Sequence, residues 1–146
     1  MILGFKKYIP HIGPTKFKEK IISGTKIHSI RKDEKDRWER GRKIQMAYGV
    51  RTKFYECFMK SECAGIESIV IFYPDDYGLH PAPNIFIHGQ KLSYSECEEL
   101  AENDGFESFS DFCTYFNNNF EGKIIHWTDK KYAALTSAEI DALLWA

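Results

Sequence analysis

The stretch SGTKIHSIRKD, residues 23–33, sets three cations, an imidazole and a hydroxyl within a few residues of a Gly turn. Lys26, Arg31 and Lys32 supply positive charge, Ser29 a hydroxyl and His28 a ring that can donate or accept near neutrality. Cations and hydroxyls at this density form charge-assisted hydrogen bonds to phosphate and carbonyl oxygens. Arg51, closing the run KIQMAYGVR, is a further candidate cation, and Trp38 and Trp127 have rings on which a base could stack. For Trp127, in the apolar run GKIIHWT, core packing is the commoner use. The plainer use of Lys26 and Ser29 is as solvated strand residues. The candidate ligand contacts are therefore His28, Arg31, Lys32, Trp38 and Arg51.

The remaining metal-type residues lack the spacing of a site. His88 and His126 lie in late strand-like runs, IFIHG and IIHWT, and neither belongs to a metal motif. Cys57 and Cys63, in CFMKSEC, are too widely spaced for a zinc knuckle, and no second close pair accompanies them. The four cysteines read as reduced thiols packed as small hydrophobes. No cofactor is expected.

A chain of 146 residues, 43% hydrophobic and 15% aromatic, can bury a core as one domain. No apolar run approaches a membrane span. The opening MILGFKKYIPHIG brings lysines after five residues and has no long apolar core, so it does not read as a secretory signal. A cytoplasmic location is the expectation. The net charge of -1 hides an asymmetry: residues 1–60 hold 16 cations and 6 acids (+10), residues 61–146 hold 4 cations and 15 acids (-11). Such a division can form a basic face for a polyanion, or two halves that neutralise each other on folding.

The elements that must position the candidates follow from periodicity and punctuation. GFKKYIP reads as a strand ended by Pro10. Residues 15–23 form a short helix with Phe17, Ile21 and Ile22 on its apolar side, stopped by Gly24. Strands follow at TKIHSIR, at KIQMAYGVR, twice within FYECFMKSECAGIESIVIFYP, at IFIHG and at GKIIHWT. KDEKDRWERG and DDYGLHPAPN are connections. Ser93 and Glu96 make a capping box for a helix ended by Gly105, and Phe109, Phe112 and Phe116 mark a second short helix. Thr136 and Glu139 predict a tail helix over residues 136–145, whose Ile140, Leu143 and Leu144 would be covered by the domain or by a second copy of the chain. This order does not alternate as βαβα. It predicts an α+β fold whose sheet curls into a small barrel with short flanking helices.

Four motifs in order strengthen that expectation. SG followed by TKIHSIR resembles G-x-K-x-x-T-I-R; RWERGRKI resembles W-x-x-G-x-x-I; LAENDGFESFSDF resembles A-x-x-(E/D)-G-F…F; and GKIIHWT resembles a final strand. Together they resemble the ASCH family, the activating-signal-cointegrator homology domains, across roughly residues 5 to 128. The resemblance implies a PUA-like barrel over residues 1–129, followed by a tail over 130–146, and a cleft for RNA or a modified nucleoside beside the Gly-x-Lys strand. One branch of the family is an amidohydrolase that removes the acetyl group from N4-acetylcytidine with a Lys, a Thr and an acid. Those roles fall on Lys26, Ser29 and Asp104, with Ser in place of Thr and Asp in place of Glu.

Amide hydrolysis needs a nucleophile, a proton acceptor and charge stabilisation. Ser29 would be the nucleophile and Lys26 its base, with Asp104 orienting the lysine or holding an exocyclic nitrogen. In a regular strand Lys26 and Ser29 face opposite sides, so their meeting requires a bend near Gly24 or a lysine that wraps round. Binding of RNA or a nucleoside is the first expectation and deacylation of an N4-acylated cytidine-like nucleoside the second. A protein-interaction module docking through the tail helix, which could also join copies of the chain, is the third.

Overall fold

The computed structural model describes residues 1–74, 82–133 and 144–145. Among the described residues, ten strands and three helices follow in the order β1 Ile2–Phe5, β2 Tyr8–Ile9, β3 Gly13–Pro14, α1 Phe17–Ser23, β4 His28–Arg31, β5 Lys43–Tyr48, β6 Glu56–Glu62, β7 Gly65–Phe72, β8 Asn84–Ile87, β9 Gln90–Lys91, α2 Tyr94–Asn103, α3 Phe109–Tyr115 and β10 Phe120–His126. The class is α+β, as the element order predicts.

The strands divide into a five-stranded sheet ordered β4-β10-β7-β8-β9, a three-stranded sheet ordered β1-β5-β6 and a small β2-β3 ribbon. The larger sheet is antiparallel throughout, whereas β1 runs parallel to β5. The expected barrel does not close: among the described residues no ladder joins the larger sheets. At the β1 and β4 edges a side chain joins them, Arg31 Nη2 donating to the Gly4 carbonyl at 2.6 Å.

Local chemistry explains the elements. Along β7 burial alternates, with Glu67, Ile69 and Ile71 inward and Ser68, Val70 and Phe72 outward, the period of a half-buried strand. Ile69, Ile71, Ile85, Ile87, Ile124, Ile125, Leu100 and Phe112 are wholly buried and form the centre of the core. Helix α2 carries the expected capping box, each of Ser93 and Glu96 bonding the other's backbone N–H. Helix α3 packs Phe109 and Phe112 inward, and Phe106 and Phe116 complete an aromatic cluster. Between β4 and β5 no helical turn forms. Asp33 takes the N–H groups of Arg37 at 2.8 Å and Trp38 at 2.9 Å, holding a tight loop and burying the indole.

The charge asymmetry is partly neutralised internally. Lys20 pairs with Glu107, Lys26 with Asp104 and Lys43 with Glu62, each a first-half cation on a second-half acid. Of the tail helix predicted over residues 136–145, residues 136–143 lie outside the described residues; Leu144 and Trp145 are exposed.

Gly105, just past α2, has φ +94°, where an L side chain is strained. A Cβ there would also lie 2.9 Å from the Phe17 ring and from Lys26 Cδ. Gly89, at φ +76°, has the same backbone need with open space around it. Gly89→Ala should therefore cost about 1–2 kcal/mol from backbone strain alone. Gly105→Ala should cost at least about 1 kcal/mol more, since the Phe17 ring must move in a packed core. Urea unfolding of both variants checks this, and equal losses would show that the close packing at Gly105 contributes nothing.

Candidate functional site

The backbone between α1 and β4 makes the site. Gly24, with φ 83°, ends the helix in the left-handed conformation. The N–H groups of Thr25 and Lys26 both fold back onto the Lys20 carbonyl, at 2.8 and 2.9 Å. Lys26 therefore belongs to this turn, and regular strand geometry begins only at His28. The parity that would separate Lys26 from Ser29 does not apply, and both line one cavity.

That cavity has a volume of about 130 Å³. Lys26, Ser29, Arg31 and Asp104 form its polar wall, and Phe5, Phe17, Phe106 and Tyr115 are its aromatic boundary. The structure thus brings together the three candidate catalytic residues and Arg31. It separates the others. His28 is wholly buried behind Asp104, bonded to it, and does not line the cavity. Lys32 borders a different groove with Asp33 and Lys123. Trp38 is buried in the core, so its ring is not a stacking surface. Arg51 is exposed on the turn after β5 and does not reach the cavity.

Lys26 is held at the C-terminus of α2. Its Nζ donates to the Asp104 carbonyl at 2.5 Å and lies 3.3 Å from Asp104 Oδ1. Lys20 Nζ donates to the Gly105 carbonyl at 2.7 Å, and the Ile27 N–H to the Asn103 carbonyl at 2.9 Å. The last turn of α2 contains no basic residue of its own, so α1 and the turn after it satisfy the helix's orphan carbonyls and its negative dipole end. The Phe17 and Phe5 ring centroids stand 4.7 and 5.5 Å from Lys26 Nζ. Burial among them pushes the lysine down to about 8; Asp104 opposes the shift and Arg31 adds to it.

Asp104 Oδ1 receives a second contact from His28 Nδ1 at 3.1 Å. Among the described residues Oδ2 has no protein partner, leaving one carboxylate oxygen for a ligand. Ser29 Oγ accepts from Arg31 Nε at 3.0 Å and is not hydrogen-bonded to Lys26. Arg31 also lies 5.1 Å from the Phe5 centroid, and burial lowers its basicity.

Several participants escaped sequence reasoning. Phe5, Phe17, Phe106 and Tyr115 look like ordinary core aromatics, and only the three-dimensional convergence marks them as walls. Tyr132 reaches His28 from the segment after β10, with its Oη 2.6 Å from His28 Nε2. Glu67 had a signal: it shares strand parity with Ile69 and Ile71, which puts an acid on the buried face.

Among the described residues, no group of three or more His, Cys, Asp or Glu is arranged to hold a metal ion, and no helix is long and apolar enough to cross a membrane. Compared with known proteins, the chain matches no family model, no curated protein and no solved structure.

The buried ammonium yields a prediction. In the folded protein Lys26 loses its proton at about 8, against 10.5 for the ordinary lysine. Between those values the unfolded chain holds a proton that the native state lacks, so raising the pH favours folding. The stability of the wild type relative to Lys26→Met should be flat below pH 8. It should rise by about 3 kcal/mol between pH 8 and 10.5, from a depression of about 2.5 units. Denaturant unfolding across this range measures it, and a difference flat throughout would show that Lys26 is not desolvated.

Proposed function

We propose that the protein is an ASCH-type domain of PUA-like descent that binds a modified nucleoside, free or presented by RNA, with the base in the Lys26–Asp104 cavity. The observation that carries this reading is the convergence of Lys26, Ser29, Arg31 and Asp104 on one aromatic-walled cavity of about 130 Å³. Cavities of roughly 150 Å³ accept a single six-membered ring. The size therefore fits a pyrimidine better than a fused ring or a length of chain. Lys26 and Arg31 can donate to a ring carbonyl, and Asp104 Oδ2 can accept from an exocyclic N–H. That is the donor and acceptor complement of a cytidine-like edge. The aromatic walls offer faces for stacking, a contact worth about 1–3 kcal/mol per base.

One observation favours a second reading, hydrolysis of an N4-acyl group. A lysine lowered to about 8 leaves about a tenth of its amines neutral at pH 7, a usable base beside a hydroxyl. Ser29 Oγ would attack the acyl carbon, Lys26 would take the hydroxyl proton and return it to the departing amine, and water would then release the acyl group. Against this stands the present bond of Ser29 to Arg31, which must open first.

Calorimetry with cytidine and N4-acetylcytidine, joined to a product assay, separates the readings. Under binding alone, Lys26→Ala weakens affinity by about 10-fold or more through a lost charge-assisted bond, and Ser29→Ala weakens it less than about 10-fold. Under hydrolysis, Ser29→Ala abolishes turnover and leaves affinity nearly intact. Nucleoside affinity should be nearly flat in salt, whereas an RNA gripped along its backbone would show a steep salt slope. Failure of every nucleoside to bind at millimolar concentration would overturn the assignment.

A further inference from the structure

We infer that Tyr132, on the segment after β10, is a positioning residue of this site: through His28 it fixes the carboxylate of Asp104 that faces Lys26. The inference deepens the nucleoside-binding reading and relies on it only for the ligand readout.

The proton assignment around His28 closes without a conflict. Asn103 Nδ2 donates to Tyr132 Oη at 2.9 Å. The phenolic hydrogen is then directed to His28 Nε2, 2.6 Å away. With Nε2 accepting, the ring hydrogen sits on Nδ1 and is donated to Asp104 Oδ1 at 3.1 Å. The other tautomer would aim the Nδ1 lone pair at the carboxylate. Burial holds His28 below its usual basicity, so the ring stays neutral and each nitrogen keeps one role. Asp104 Oδ1 is thereby committed to His28 and Lys26, and Oδ2 is the oxygen left for a ligand.

The segment carrying Tyr132 is itself anchored by a buried acid. Glu67, 3% exposed on the inner face of β7, accepts from Tyr132 N at 3.0 Å, Ala133 N at 2.9 Å and His126 Nε2 at 2.8 Å. A carboxylate in a sheet core is costly unless fully hydrogen-bonded, and two of these three donors belong to the segment. Burial alone would raise its pKa, but these donors outweigh it and hold the carboxyl below its usual range. Tyr132 also stacks edge-on to His28 at 5.5 Å and lies 5.9 Å from the His126 ring. Glu67, Tyr132, His28 and Asp104 thus form a continuous path from the core of β7 to the cavity wall.

A segment that merely covered the sheet would affect stability alone, so the test reads the site directly. In the full chain, Tyr132→Phe keeps the ring and removes the hydroxyl. Ring nitrogen NMR should show a single Nδ1–H tautomer of His28 in the wild type and a mixture in the variant. The Lys26 titration midpoint should fall by about half a unit or more as its counter-ion loosens. Cytidine affinity should drop about 3- to 10-fold, the effect of one hydrogen bond. Glu67→Gln, which leaves the tyrosine intact and weakens its anchor, should move the same signals in the same direction; it provides the reading if Tyr132→Phe does not fold. An unchanged His28 tautomer and Lys26 midpoint in the folded variants would overturn the inference. Because both are read without ligand, a wild type that binds no nucleoside would defeat the functional reading and leave this test standing.

Discussion

The arrangement rests on burying one ammonium group, that of Lys26, against the C-terminal end of α2. A lysine 2% exposed has lost its water, and only strong partners make that tolerable. The fold supplies a helix-end carbonyl at 2.5 Å, a carboxylate oxygen at 3.3 Å and two aromatic faces. Each partner imposes a demand elsewhere. The helix end must come close, so position 105 is a glycine whose Cβ would meet Phe17 and Lys26. The lysine must leave the strand, so α1 ends in the left-handed turn at Gly24. The carboxylate must not rotate away, so His28 is buried behind it. The cavity is the space that these requirements leave between the aromatic walls.

Much of this was legible in the sequence where the signal is local. The capping box at Ser93 and Glu96, the helical spacing of Phe109, Phe112 and Phe116, and the alternation along β7 each depend on neighbours a few residues apart. The meeting of Lys26, Ser29, Arg31 and Asp104 was reached by motif likeness, and strand parity argued against it. Parity misled because it assumed a strand running through Lys26, whereas the backbone N–H groups of residues 25 and 26 are spent on the α1 C-cap. Trp38 shows the opposite failure. Its surroundings, KDEKDRWERG, look solvated, but Asp33 gathers the loop and turns the indole inward. Sheet partition was not legible, since the gap between β4 and β1 is bridged by one arginine side chain, which no periodicity encodes.

The two faces of β4 divide the labour. His28 points to the side shared with His126, Ile124 and Glu67, where among the described residues His126 Nδ1 is the buried side-chain polar atom without a partner. Ser29 and Arg31 point to the cavity. A strand four residues long thereby lies between this network and the cavity, and Asp104 touches both. Rigidity on one side is what allows selectivity on the other, because a pocket whose polar atoms are fixed discriminates by leaving mismatched groups unpaired.

Under the proposed reading, Arg31 would decide whether such a site stops at binding. Its Nε donates to Ser29 Oγ at 3.0 Å and its Nη2 to the Gly4 carbonyl at 2.6 Å, so the hydroxyl is tied to a cation. A hydroxyl that accepts from a guanidinium still has its own hydrogen to give. A ligand oxygen that drew Arg31 to itself would release Ser29, whose hydrogen could then pass to a base on the same wall, Lys26 or Asp104. The same arginine would then neutralise charge developing on the ligand oxygen, where electrostatic stabilisation is usually the largest contribution to acyl transfer. A ligand without an oxygen in that place would leave the Arg31–Ser29 bond intact and would be held without being attacked. On that reading, the chemistry of this cavity would depend on which ligand atom meets Arg31, more than on the identity of the hydroxyl-bearing residue.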